Sequence, residues 1–175
     1  MSKRLVCFAH GKESGPWGTK ITCLADVARS RGFEVMSPDY SHSFDPHERV
    51  RMLHELAPRA DSLVLVGSSM GAYVSAMACK QLRPDALFLM APALYFDGWA
   101  EEPEQIPKLC SVVHGLSDEI VPVERATRFA QVNQAELHLL DSDHGLNDQL
   151  ETLSFLLARM LDSAAACIQR EAAGT

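Results

Sequence analysis

At 175 residues and 19.2 kDa the chain has the size of one domain and leaves no room for a second of ordinary length. Apolar residues at 47% and charged residues at 22% are ordinary globular values, which exclude a disordered or collagen-like chain. The net charge of −7 argues against an extended footprint on nucleic acid or an anionic membrane. The five cysteines, Cys7, Cys23, Cys79, Cys110 and Cys167, are odd in number, far apart and without a C-x-x-C pair. Most sit in apolar stretches, so they are expected to be buried free thiols in a reducing cytoplasm. Lys3 and Arg4 precede an apolar run of only residues 5–9, too short for a signal peptide or a membrane span, and a cytoplasmic location is the expectation.

Short apolar runs alternate with helix-like segments, the pattern of a parallel sheet covered on both faces. A first strand over residues 5–9 leads into the loop His10-Gly11-Lys12-Glu13-Ser14-Gly15. Ser14 and Pro16 then offer start signals for a helix reaching Ser30, which Gly32 would stop. A second strand is predicted over 33–37. Val50, Leu53, His54 and Leu56 space out like a helix face, closed by Pro58. The third strand, 63–66, is continuously apolar, as a central strand should be, and runs straight into Gly67-Ser68-Ser69-Met70-Gly71 and a helix over 72–81. Further strands are predicted over 86–90, 109–113 and 136–140, with a last helix over 148–161. The expected organisation is one α/β domain over residues 1–162, with about six mostly parallel strands and helices on both faces. Residues 163–175 are expected to form a frayed tail, and residues 92–107 at most a flap.

The pentapeptide 67–71 matches G-x-S-x-G, in which a serine sits on a sharp strand-to-helix turn between glycines that make room for the backbone. Composition alone would produce roughly 0.05 accidental matches in a chain of this length. The position between a buried strand and a helix is what the motif requires. Ser69 is therefore the nucleophile candidate, and Ser68 the weaker alternative facing the packed turn. A serine hydroxyl needs a base, and the base an orienting group. His144 follows the sixth strand and Asp118 the fifth, both in loops at the carboxyl edge of the expected sheet, where ligand-facing groups stand. The order Ser69, Asp118, His144 is that of α/β-hydrolases and of neither protease arrangement. Asp118 as a helix cap near Pro122 is the competing reading, and Asp141 and Asp143 are rival acids. His42, His47, His54, His114 and His138 lack metal-ligand spacing, and neither metal nor cofactor is expected.

An oxyanion hole needs backbone N–H groups aimed at the developing charge. Met70, directly after the serine, supplies one by the rule of the motif, and Lys12, in the loop after the first strand, is expected to supply the other. With the HG loop at His10-Gly11, the Ser14-Gly15-Pro16 turn, the GSSMG elbow, Asp118 followed by Val121-Pro122, and Asp143-His144-Gly145, the chain resembles the α/β-hydrolase superfamily. Within it the likeness is to small, lidless bacterial serine esterases, and it spans nearly the whole chain. The resemblance implies a Ser-Asp-His triad and ester hydrolysis through an acyl-enzyme, on a minimal six-stranded core lacking the family's two leading strands.

Pocket walls are expected among His10, Gly11, Trp17, Tyr40, Phe44, Tyr95, Phe96 and Trp99. With no lid domain, a shallow pocket for short or flexible acyl groups of a small ester is expected, with neither nucleic acid nor membrane as partner. Thioester, lactone or peptide-bond hydrolysis would use the same groups. A binding module that keeps the hydrolase shell without chemistry is the alternative of a different class.

Overall fold

The computed structural model describes residues 2–173, with side chains as far as residue 166. Six strands form the sheet: β1 (Arg4–Ala9), β2 (Glu34–Met36), β3 (Ser62–Ser68), β4 (Ala86–Met90), β5 (Leu109–Gly115) and β6 (Glu136–Leu140). Their order is β2-β1-β3-β4-β5-β6, and every pairing is parallel. Five helices complete the chain: α1 (Thr19–Ser30), α2 (Pro46–Leu56), α3 (Met70–Leu82), α4 (Val123–Asn133) and α5 (Leu150–Ala173).

The continuous apolar runs are explained by two cores, one on each face of the sheet. Val6, Phe8, Val64, Val66, Phe88 and Met90 turn toward α1 and α5, where they meet Ile21, Leu24, Leu153 and Leu157. Their neighbours Leu5, Cys7, Leu63, Leu65, Leu87 and Leu89 turn the other way and pack on α2, α3 and α4 through Leu53, Tyr73, Ala76 and Phe129. The chain steps outward from β1 to β2, then crosses back to β3 on the other side of β1. That reversal opens a crevice beyond the carboxyl ends of β1 and β3, the place where open parallel sheets bind ligands.

Helix ends follow local chemistry. Gly32, at φ +77, closes α1 with the N–H of Gly32 on Arg29 and that of Phe33 on Ala28, a Schellman stop. Asp45 caps α2 by accepting from the His47 N–H, with Pro46 as first helical residue, so α2 starts before the apolar spacing announces it. The first helix is a correction in the other direction. It begins at Thr19 rather than near Ser14 or Pro16, because residues 11–18 form an irregular loop of bends and a turn along the crevice, where the Pro16 carbonyl accepts from the Ser37 hydroxyl. The last helix runs beyond residue 161 to Ala173, with Ala164 buried in the core; residues 174 and 175 lie outside the described residues.

Cys7, Cys79 and Cys110 are buried, whereas Cys23 is half-buried with its thiol 3.5 Å from the Ser154 hydroxyl; the side chain of Cys167 lies outside the described residues. Burial pushes the Cys7 and Cys110 thiols up to about 12 and raises Cys79 as well. In native protein a soluble disulfide reagent is therefore expected to leave Cys7, Cys79 and Cys110 unmodified until denaturant is added. Rapid labelling of any of the three, read by peptide mass mapping, would contradict the packing described.

Candidate active site

Only one residue separates β3 from α3. Ser69 takes φ 55 and ψ −118, a conformation that costs a non-glycine residue about 1–3 kcal/mol and persists only where its surroundings impose it. The surroundings are specific. The Ser69 N–H donates to the Met90 carbonyl at 2.9 Å, and its carbonyl accepts from the N–H groups of Ala72 and Ala93. A Cβ on Gly71 would stand 1.9 Å from the Ala9 carbonyl oxygen, and one on Gly67 would stand 2.4 Å from the Gly71 oxygen. Only glycine lets the first turn of α3 cross the end of β1 this closely, and the crossing holds the serine side chain clear of the sheet.

Ser69 Oγ lies 3.0 Å from His144 Nε2, and His144 Nδ1 lies 2.7 Å from Asp118 Oδ2. A carboxylate only accepts, so Nδ1 carries the proton and Nε2 presents a lone pair to the serine hydroxyl. The Asp118 side chain has no solvent access. Burial pushes its carboxyl up, but the N–H groups of Val121 and Ile120 on Oδ1 and the His144 ring on Oδ2 outweigh burial and hold it below its ordinary value. The helix-cap reading of Asp118 is not realised, since α4 starts at Val123 behind Pro122 without a side-chain cap; one carboxylate oxygen orders the turn before the helix and the other faces the histidine. The rival Asp143 is occupied by its own loop, where it accepts from Gly145 and Leu146, and Asp141 is exposed.

Three groups around this chain carry no motif. His114 Nε2 lies 3.4 Å from Asp118 Oδ2 and donates to the Val121 carbonyl at 2.9 Å, bracing the aspartate turn. Lys20 reaches from α1 to donate to the Gly145 carbonyl at 2.6 Å, tying down the histidine loop; burial lowers its ammonium pKa. Arg49, wholly buried, donates to the carbonyls of His10, Gly11 and Lys12. A lone arginine on a helix has no sequence signal to distinguish it from a surface charge.

The crevice is a cavity of about 690 Å³, within the range of small-molecule sites. Ser69, Met70 and His144 form its base, Gly11 and Lys12 one rim, and Phe96, Trp99 and Ile120 an apolar wall. Gly11 and Trp99 are therefore wall residues, as is Phe96, but the other expected ones are not. His10 and Tyr40 lie buried behind the rim, the His10 Nε2 accepting from the Tyr40 N–H and its Nδ1 donating to the Gly11 carbonyl. Trp17 turns outward toward Arg29, and Phe44 is exposed beside the Lys12 ammonium. Tyr95 sits under the Arg128 guanidinium with its hydroxyl on Glu102. Residues 92–107 are held to the body through Tyr73 on Glu101 and Arg125 on the Leu94 carbonyl.

Residues 8–167 match the model of the alpha/beta hydrolase family. The chain belongs to this family. Among solved structures, this α/β hydrolase is similar to a protein of the alpha/beta hydrolase superfamily from Xanthomonas campestris pv. campestris. The two are 34% identical with a TM-score of 0.83, over 93% of this chain and 99% of that one. It shares its fold with an α/β serine hydrolase without lid, also from Xanthomonas campestris (21% identity, TM-score 0.64, 93% and 83% of the two chains). The same holds for Est1E from Butyrivibrio proteoclasticus (18% identity, TM-score 0.78, 94% and 89%). No curated protein matches this α/β hydrolase.

Two outcomes test the geometry. Gly71→Ala places a methyl group on the Ala9 backbone and is expected to destabilise the protein by about 1–3 kcal/mol or more, seen as a lower melting temperature; an unchanged Tm contradicts the crossing. The depressed carboxyl of Asp118 stabilises the fold at pH values above the ordinary carboxylate value of about 3.9, and this stabilisation is lost as pH falls through the lower folded value. Asp118→Asn is therefore expected to melt below the wild type at pH 7, with the gap narrowing toward pH 2. A gap independent of pH would mean that the charge is immaterial.

Proposed function

We propose that this α/β hydrolase is a serine hydrolase that cleaves small carboxylic esters through an acyl-Ser69 intermediate, in a reducing cytoplasm and without a metal or cofactor. The observation that carries the reading is the unbroken hydrogen-bonded chain from Ser69 Oγ through His144 to a buried, ionised Asp118. The free buried thiols support the reducing compartment.

In the proposed mechanism Ser69 Oγ adds to the ester carbonyl carbon while His144 Nε2 takes the hydroxyl proton. The carbonyl π pair moves onto oxygen, and that oxyanion is received by the N–H groups of Met70 and Lys12. Met70 is the first residue of α3, so its N–H has no partner within the helix. Collapse of the adduct breaks the bond to the alkoxy oxygen, which leaves with the proton from Nε2 as an alcohol. Water then loses a proton to Nε2 and adds to the acyl carbon, and Ser69 departs with that proton as the free acid forms. Asp118 keeps the tautomer and offsets the positive imidazolium in both halves. Thioesters would follow the same course with a thiol leaving.

Intact-mass spectrometry after treatment with a small fluorophosphonate is expected to show one adduct on the wild type and none on Ser69→Ala. The same variant should lose about 10⁴-fold or more in kcat on p-nitrophenyl acetate with its fold intact. No adduct on folded wild-type protein would overturn the reading in favour of a ligand-binding module. Turnover of p-nitrophenyl esters should fall as the acyl chain outgrows the 690 Å³ cavity; a preference for long chains would contradict the substrate class.

A further inference from the structure

Arg49 lies in the first turn of α2 and, among the described residues, is the largest side chain wholly shut off from solvent. Its surroundings are unusual for a cation. Among the described residues its hydrogen-bond partners are all backbone carbonyls: Ser43 on Nε at 2.8 Å, His10 and Gly11 on Nη1 at 3.1 Å each, and Lys12 on Nη2 at 3.1 Å. The Tyr40 ring covers it at 5.7 Å, and among the described residues no carboxylate forms an ion pair with it, Asp39 acting on it only from a distance. A buried guanidinium without a counter-ion is expensive, and burial accordingly lowers its pKa, although arginine stays charged in proteins. Such a group earns its place only by what its fork of donors orders.

What it orders is three successive peptide planes. In a trans peptide the C=O and N–H point in opposite directions. With the carbonyls of His10, Gly11 and Lys12 drawn inward to Arg49, the N–H groups of the same planes, those of Gly11, Lys12 and Glu13, are turned away from α2. Among the described residues none of these three N–H groups has a protein acceptor. Gly11 stands against the elbow, since a Cβ built on it would lie 3.7 Å from Ser69 Cβ, and Gly11, Lys12 and Glu13 all line the cavity while Arg49 does not. The His10 Nδ1–H shares the Gly11 carbonyl, adding a second strut to the same plane.

We propose that Arg49 is the positioning residue of the oxyanion loop: its buried guanidinium grips the carbonyls of residues 10–12 so that the opposite N–H groups face the carbonyl oxygen of the substrate bound at Ser69. The inference rests on the serine-hydrolase reading for its chemical consequence and on the hydrogen bonds alone for the grip. Arg49 touches no reacting atom. It acts by pre-setting donors that need not reorganise in the transition state, and its charge behind the loop polarises the same peptides further. Lysine, with one rotating ammonium, has no planar fork to span the carbonyls of four residues.

The test compares wild type, Arg49→Lys and Arg49→Met by steady-state kinetics on p-nitrophenyl acetate, fluorophosphonate labelling rate, thermal melting and the 15N order parameters of the backbone amides of residues 11–13. The expected result is a kcat about 10²-fold lower in Arg49→Met, the scale of one lost oxyanion donor, with KM little changed. Arg49→Lys should fall between the two, and the order parameters of residues 11–13 should drop in both variants. A merely structural role would lower the melting temperature and leave kcat per folded molecule unchanged, and that outcome overturns the proposal. Should Arg49→Met fail to fold, Arg49→Lys decides by the same criteria. If wild-type protein takes no phosphonate adduct, the hydrolase reading fails by itself; the order parameters then decide the grip, lower values in the variants upholding it and equal values overturning it.

Discussion

No side chain fits where α3 crosses the end of β1. The Gly71 Cα lies so close to the Ala9 carbonyl that even a methyl group would overlap it, and Gly67 is pressed against the same turn. This crossing brings the end of β3 beside the end of β1 with one residue left for the turn, and that residue, Ser69, is held at positive φ. From it follow the exposure of the serine hydroxyl, the start of α3 at Met70 with its free N–H, and the approach of Gly11 to the serine. The two cores hold the sheet rigid enough to impose the strain, since burial on both faces leaves β1, β3 and β4 no freedom to shift register.

The site also depends on how two buried charges are accommodated. Asp118 and Arg49 are both shut off from water, and among the described residues neither forms an ion pair with a lysine, arginine or carboxylate. Backbone dipoles do the work instead: N–H groups of Ile120 and Val121 converge on the aspartate, and carbonyls of residues 10–12 and 43 converge on the arginine. The aspartate thereby remains ionised for His144 while its turn is ordered, and the arginine remains charged while the loop beside Ser69 is ordered. Because these converging groups are main chain, the two charges stiffen loops that would otherwise be the most mobile parts of the molecule. Lys20 does the same for the histidine loop through the Gly145 carbonyl.

Much of this was legible in the residues. A parallel sheet buried on both faces needs uninterrupted apolar strands, so all six strands could be read within a residue or two, and β4 and β6 coincide with their apolar runs. The glycines around Ser69 and the loops ending in Asp118 and His144 were legible because turns and strand ends restrict which residues can occupy them. Helix starts were less so. The α1 start differs from the sequence expectation because Ser14 and Pro16 serve a bend and a turn of the rim rather than a helix, and the α2 start escapes the apolar spacing because a capping aspartate and a proline carry no periodicity. The aromatic residues were the least readable. Trp99 and Phe96 face the cavity and Tyr40 does not, a difference set by packing across the sheet and not by the residues' own chemistry.

The sequence by itself determined the strand order along the chain, the serine at the elbow and the set of loops that carry histidine and aspartate, because local propensity, alternation and steric exclusion act between near neighbours. Only the tertiary structure decided which aspartate faces the histidine, which aromatics line the cavity, and that Arg49 is a buried cation behind residues 10–12. Those contacts join residues 26 to 39 positions apart. Their existence depends on which strands and helices the topology sets side by side, and no local pattern encodes that distance.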